Sequence, residues 1–372
     1  MALDAYFRDC GIVRVDMLET LVEIPPLLAG RTPIALSRPP RVAVVTTTGG
    51  GAASVVDRLG MQGLELASMH DLTMTSTQDI YRTTLEKLLA SADCDAVLAA
   101  VGSSAQFHPE FAVQPILQAK RSAKPLAAFL TPHAERSLAL LAAQGIPAFR
   151  TPEACADAFA AFFAWREPRQ FGDRARIQLP ADPFAAMESL GIPVAQHAIV
   201  QAPDFKHALS YPVALKRLDV EHKTEVGGVA LNIGSHAELV EHAKRMGQSR
   251  LLVQRMERGL AEAIVGYRHD PVVGPLVLVG AGGTLAELYK DVAIALAPVN
   301  ESEAADLVER VKGLALVRGY RNLPRGDVTA LARAVAALSR LAGVPEVQEA
   351  EINPLIIKAD GVAAVDARLV LK

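Results

Sequence analysis

Glu351, Asn353 and Asp366 offer hard oxygen donors near the end of a 372-residue chain. Glu351 and Asn353 stand two apart in the run Glu349–Ile357, and Asp366 follows thirteen positions after Asn353. The intervening sequence reads as two apolar strands joined by the turn Ala359-Asp360-Gly361, and a β-hairpin brings such groups together. Mg²⁺ takes a few protein oxygens and leaves its other positions to water and substrate phosphates. The segment therefore reads as a metal–nucleotide platform.

Four further clusters carry polar chemistry. Tyr211–Lys216 is an apolar strand ending in Lys, and a Lys on a buried strand calls for an anion beside its ammonium; a surface hairpin with a snorkelling Lys is the alternative. His222 follows in a polar loop closed by Gly227-Gly228, a pair free to fold over a ligand, although an isolated loop histidine is usually solvated. Gln254-Arg255-Met256 ends another strand ahead of Glu262, offering backbone groups to a base and a carboxylate to a ribose; ordinary sheet accounts for these residues equally well. Gly280–Gly283, with Glu287 and Asp291 beyond, punctuates the next strands and reads as turns. Early in the chain, Gly49-Gly50-Gly51 ends a strand and opens a helix. Backbone N–H groups and the helix dipole at such a point favour an anion, and a tight turn without ligand is the other reading. No Gly-Lys-Ser/Thr follows, so this is not a Walker A loop.

The elements that position these groups fall into two patterns. Strands over Val42–Thr46, Asp95–Val101 and Pro125–Leu130 alternate with helices near 49–59, 80–90, 109–119, 134–144 and 152–165. That alternation predicts a doubly wound parallel sheet. Residues 1–40 read as a lead-in and linker, with Gly11–Val15 as a possible strand. The polar stretch around 167–180 reads as a second linker. Beyond it, short strands at 213–216, 251–254, 262–268 and 276–279, a helix at 328–341 and the closing hairpin predict an α+β domain over 181–372.

Composition excludes several classes. A net charge of −3 and an isoelectric point near 6.3 give no electrostatic footprint for nucleic acid. No apolar run approaches the roughly 20 residues of a membrane helix, and the N-terminus lacks the regions of a signal peptide. Three well-separated cysteines, Cys10, Cys94 and Cys155, imply neither a disulfide framework nor a thiolate metal site. A cytoplasmic protein is expected.

Taken in order, the motifs resemble the NDP-forming acyl-CoA synthetases, the group that includes ADP-forming acetyl-CoA synthetase and is related to succinyl-CoA synthetase. The residues carrying the resemblance are Pro212–Lys216, His222–Val229, Val253–Met256, Glu262–Gly266, Gly280–Gly283, Gly319-Tyr320-Arg321, Glu351–Pro354 and Val365–Arg368. The resemblance implies a two-lobed ATP-grasp domain over 181–372, behind a flavodoxin-like ligase domain over 41–166. It implies that Lys216 contacts nucleotide phosphates, that Gly227-Gly228 closes over them, and that Gln254, Arg255 and Met256 form the hinge whose backbone reads adenine, with Glu262 near the nucleotide. Asn353 and Asp366 are the implied Mg²⁺ ligands with Glu351 in support. His222 matches a loop histidine that relays the phosphoryl group in some members, and Gly49-Gly50-Gly51 matches a helix start that clasps a phosphohistidine.

The sequence also departs from the group. Only five residues separate Lys216 from His222, the Ser-Pro usual in that loop is absent, and Thr47 and Ala52 replace a common Asn and Gly. No Ser-His-Thr-Gly tetrad occurs. The implied activity is Mg²⁺-ATP-dependent phosphoryl transfer through phosphohistidine and acyl phosphate to acyl-CoA, with a small carboxylic acid as substrate. A partner subunit would supply the CoA-binding Rossmann domain and the phosphohistidine domain, in a hetero-oligomer or homodimer, with no nucleic acid and no membrane involved. A stand-alone ATP-grasp carboxylate ligase and a non-catalytic nucleotide-binding regulatory module are the alternatives.

Overall fold

The computed structural model describes residues 2–72, 76–120, 122–171, 175–220, 227–283 and 291–372; His222 and Glu287 lie outside the described residues. The chain divides into one compact unit of residues 7–169 and a second of residues 170–372 together with residues 1–6.

Three short helices, α1 (Ala2–Asp9), α2 (Leu18–Glu23) and α3 (Pro25–Leu28), precede the first strand. The first unit then alternates β1 (Arg41–Thr46), α4 (Gly49–Met61), β2 (Glu65–Asp71), α5 (Gln78–Ala90), β3 (Ala96–Val101), α6 (Ser104–Phe107), α7 (Pro109–Gln118), β4 (Leu126–Leu130), α8 (Glu135–Ala143), β5 (Ala148–Phe149) and α9 (Pro152–Ala164). All strand pairs are parallel, in the flavodoxin-like order β2-β1-β3-β4-β5. Both faces of the sheet are covered, which is why its central strands are apolar throughout. Val42, Val44 and Leu98 pack on one side with Val55, Phe159 and Phe162. Ala43, Val45 and Val97 pack on the other with Leu85, Val113 and Ile116.

Gly11–Val15, expected as a possible strand, forms none. The parallel sheet accounts for β1 to β5 only, and the chain leaving this segment is tied down by a side chain instead. The buried Asp157 carboxylate of α9 accepts the N–H groups of Asp16 and Met17 at 3.1 and 3.2 Å. Val13 and Val15 are half-buried against the core, so their apolar character is used without a ladder.

The second unit holds two antiparallel sheets. After α10 (Pro183–Ser189), β6 (His197–Gln201), β7 (Val213–Arg217), β8 (Val229–Ile233) and β9 (Arg250–Arg255) form a sheet of order β6-β9-β7-β8, with α11 (His236–Met246) between β8 and β9. Val213, Leu215, Leu251 and Val253 pack with Leu239 and Ala243 of α11. The larger sheet comprises β10 (Ala261–Asp270), β11 (Gly274–Ala281), β12 (Val292–Leu296), β13 (Val347–Lys358), β14 (Gly361–Ala364) and β15 (Ala367–Leu371), in the order β12-β11-β10-β13-β14, with β15 also on β13. Ala263, Val265, Val277 and Ile352 pack with Leu307 of α12 (Glu301–Arg310) and with Leu331 and Val335 of α13 (Val328–Ser339). The mixed α/β class expected from sequence holds. No helix among the described residues is long and apolar enough to cross a membrane.

The segments that enter and leave the smaller sheet both run over the closing hairpin. Ala195 N donates to Ala364 O and Ala364 N to Pro193 O, at 2.9 and 2.8 Å. Leu260 N donates to Ile357 O at 2.7 Å, and Lys358 pairs with Glu257 at 3.3 Å.

Candidate functional site

The closing hairpin forms where its sequence predicts, but its return strand is split into β14 and β15, and two irregularities, a bulge in β13 and this break, shape the site. Val265 pairs with Ile352 and Ala263 with Leu355, so β13 carries an extra residue at Asn353-Pro354. A bulge of this kind re-aims side chains locally. On the other flank of β13, β14 pairs with 355–358 and β15 with 347–352, leaving Val365-Asp366 in the break between them. Bulge and break coincide: Asn353 N donates to Asp366 O at 3.3 Å and Val365 N to Pro354 O at 3.2 Å. Asn353 Nδ2 donates to Glu351 Oε1 at 3.1 Å, which turns the amide oxygen away from Glu351. Asp366 Oδ1 accepts Ala367 N at 3.0 Å.

This donor set fits Mg²⁺. Asn353 and Asp366, joined through the main chain, carry an amide oxygen and a carboxylate at one exposed to half-buried edge, where water and phosphate would complete the shell. Among the described residues no group of three or more His, Cys, Asp or Glu has the spacing of an all-protein metal cage. Glu351 orients Asn353 through the hydrogen bond.

Lys216 reaches this edge from the smaller sheet. It lies on β7 at 6% exposure, and its Nζ donates to Val365 O at 2.5 Å, across 149 positions of sequence. Pairing places Lys216 beside Leu252 and Ala214 beside Gln254. Because side chains alternate along a strand, these four share the face opposite the one packed on α11. His197 of β6 pairs with Gln254 and belongs to the same face. Its ring stacks on Phe184 at 4.6 Å, and its Nδ1 lies 3.1 Å from Ala195 O. Nothing in the sequence marks Phe184 or His197 beyond an apolar helix and a polar position in a short strand.

The residues expected to form a hinge, Gln254 to Met256, differ in how they are bonded. Arg255 N donates to Gln196 O at 2.8 Å and Met256 N to Pro212 O at 3.4 Å, so the first of these N–H groups is spent within the protein and the second is held only by a long bond. Gln254 is 1% exposed, and its Nε2 has no partner among the described residues.

Glu262 lies on the open face of the larger sheet, paired with Ile356 of β13. Gly282 N donates to Glu262 O at 2.8 Å, and a Cβ on Gly282 would meet Glu262 backbone at 2.9 Å. That second glycine is required by close approach, more than by a turn alone. Asp291 is used structurally, accepting Lys312 N and Gly313 N at 3.2 and 2.6 Å. Gly227 takes φ +64°, and Gly228 O accepts Arg217 N at 2.9 Å, which seats the glycine pair at the end of β7.

In the first unit, Gly49-Gly50-Gly51 opens α4 at the crevice where strand order reverses between β1 and β3, the usual ligand position in such sheets. Thr48 caps the helix by accepting Gly51 N, and Thr46 Oγ1 accepts Thr48 N at 2.9 Å. A Cβ on Gly51 would overlap Thr131 Cγ2 and meet Thr48 Cγ2 at 2.8 Å. Gly49 and Gly50 have open space around them.

The ATP-grasp domain family matches residues 174–371. The chain is 37% identical over 208 residues to acetate–CoA ligase [ADP-forming] I of Archaeoglobus fulgidus, a match spanning 51% of this chain and 30% of that protein's length. It is 31% identical over 199 residues to acetate–CoA ligase [ADP-forming] I subunit beta of Pyrococcus furiosus, covering 49% of this chain and 86% of the subunit. A solved acetyl-coenzyme A synthetase 1 of Ca. Korarchaeum cryptofilum, in complex with coenzyme A and Mg-AMPPCP, aligns at 32% identity over 51% of this chain and 90% of its own, with a TM-score of 0.47. The chain therefore belongs to the ATP-grasp family represented by the ADP-forming acetate–CoA ligases.

Proposed function

We propose that the chain is the ATP-grasp half of an ADP-forming acyl-CoA synthetase: acid + CoA + ATP ⇌ acyl-CoA + ADP + phosphate. The observation that carries this reading is the meeting of Lys216 with the Asn353/Asp366 edge, which joins a phosphate-seeking cation to a hard-oxygen donor set in one place. ATP would lie with its base at Gln254–Met256, Glu262 nearby, and its phosphates between Lys216, the Gly227-Gly228 loop and the hairpin. Asn353 and Asp366 would hold Mg²⁺, with Glu351 orienting Asn353; when bound, the ion neutralises charge on the β- and γ-phosphates.

Phosphoryl transfer depends mainly on positioning and charge neutralisation. Lys216, buried on β7, would set its ammonium against the phosphates without solvent reorganisation. The γ-phosphoryl group would pass to a histidine of a partner subunit, with loss of ADP, directly or through His222. The phosphohistidine would phosphorylate a small carboxylic acid, and CoA thiol attack on the acyl phosphate would release phosphate. The partner would contribute the CoA-binding and histidine domains. The Gly49-Gly50-Gly51 helix start would hold the phosphohistidine through its backbone N–H groups.

Incubation with γ-labelled Mg²⁺-ATP tests the reading. Acid-labile label should appear on a partner carrying those domains only when this chain is present. Ligation or hydrolysis by this chain alone, unaffected by the partner, would overturn it.

A further inference from the structure

Gln254 is out of place on ordinary grounds. It ends the run Leu251-Leu252-Val253-Gln254 in a central strand, is 1% exposed, and leaves a buried amide nitrogen without a partner among the described residues. Buried polar groups are hydrogen-bonded in the great majority of cases, and an orphaned one needs a reason. Neighbouring groups do not supply a bond: Ala214 across the pair offers a methyl, and Leu252 is apolar. His197 on the other side is fixed by its Phe184 stack, with Nδ1 against Ala195 O. The carboxamide shares a face with Lys216, two pairs along the ladder, and immediately precedes the hinge.

We infer that the side chain of Gln254, rather than hinge backbone alone, reads the nucleotide base, its Nε2 donating to a ring nitrogen and its Oε1 accepting from the adjacent exocyclic amine. This rests on the nucleotide reading above and specifies its ligand as a base with an acceptor beside an amine. Adenine offers that pair at N7/N6 and at N1/N6. Guanine offers two acceptors, O6 and N7, on its Hoogsteen edge, and has an acceptor beside an amine only at N3/N2, next to the sugar. The backbone supports the assignment, because Arg255 N–H is already committed to Gln196 O and Met256 N–H leans on Pro212 O.

The test changes the ligand before the protein. Equilibrium binding of Mg²⁺ complexes of ATP, 7-deaza-ATP and 1-deaza-ATP to the full chain should show one deaza analogue weakened by about tenfold or more, since an unsatisfied buried donor costs on the order of 1.4 kcal/mol or above. The weakened analogue identifies the edge that is read. In Gln254→Glu, which keeps size and removes the donor, ATP should weaken to the level of that analogue and the difference between the two should vanish. A Gln254→Met chain of similar volume loses the Oε1 acceptor as well, so it should bind ATP more weakly than the native chain binds that analogue, again with no difference between the two ligands; it controls for the added charge. Equal binding of all three ligands by the native chain overturns the assignment while leaving the nucleotide site intact. Failure of the native chain to bind any of them overturns both.

Discussion

Lys216 and Asn353 lie in segments that only the folded chain brings together, and each makes a separable contribution. Lys216→Met keeps the buried stem and removes the cation. Hydrogen bonds to charged groups contribute roughly 1.5–3 kcal/mol, so ATP affinity should fall by about ten- to a hundredfold, measured by calorimetric titration with Tm unchanged or raised. A fall in Tm paralleling the loss of affinity would show that Lys216 serves the fold through Val365 instead. Asn353→Ala and Asp366→Ala should each weaken binding with Mg²⁺ present, and the deficit should shrink to nothing in excess chelator. A deficit that survives chelation would remove both from the metal. At this scale the residue types were legible, because a terminal Lys on an apolar strand and a Glu-x-Asn pair stand out in any sequence. The register was not: the bulge at Asn353-Pro354 shows only in the pairing of β13 with the distant β10, and the β14/β15 break only in how those two strands divide β13 between them. The orphaned amide of Gln254 was equally invisible, since a Gln in a strand looks paired until its neighbours are known.

The helices and strands differ in how plainly they were written. Central strands β1, β3 and β4, buried on both faces, appear as continuous apolar runs. The edge strand β2 alternates weakly and is largely exposed, and β5 has two residues, so neither carries a periodic signal. The glycine run shows the same contrast between neighbouring residues. Gly51→Ala should cost about 1–3 kcal/mol through overpacking against Thr131 and Thr48. Gly49→Ala and Gly50→Ala, in open space at a helix start, should leave stability equal or slightly raised. Denaturant midpoints of the three variants decide this, and equal losses would refute the packing account. Glu23 of α2 gives a pH prediction. Desolvation by burial raises its pKa, and the Arg150 ion pair at 3.0 Å offsets that only in part. A carboxyl whose folded pKa lies above its unfolded value of about 4.3 is penalised as pH rises through the folded value. Glu23→Gln should therefore raise Tm at pH 7, with the gain disappearing below pH about 4. A gain independent of pH would mean that packing, not ionisation, is responsible.

Two bodies of hydrophobic core set the behaviour of the whole chain. The clusters around Val44 and Leu85 draw only on residues of 7–169, and those around Val265 and Val253 only on residues of 170–372. Units with separate cores melt as separate transitions unless their interface couples them. The proposed nucleotide contacts all belong to the second unit, so ligand linkage should act there. At a hundredfold excess over Kd the second unit gains about 2.7 kcal/mol, which in a domain of that size raises Tm by roughly 5–11 °C. Calorimetry of the full chain with and without Mg²⁺-ATP should thus show two transitions, one shifted and one stationary. Asp366→Ala should abolish the shift without altering the stationary transition. A single transition, or two that move together, would mean that nucleotide binding is coupled to the parallel-sheet unit, and its effect could then reach the Gly49-Gly50-Gly51 helix start.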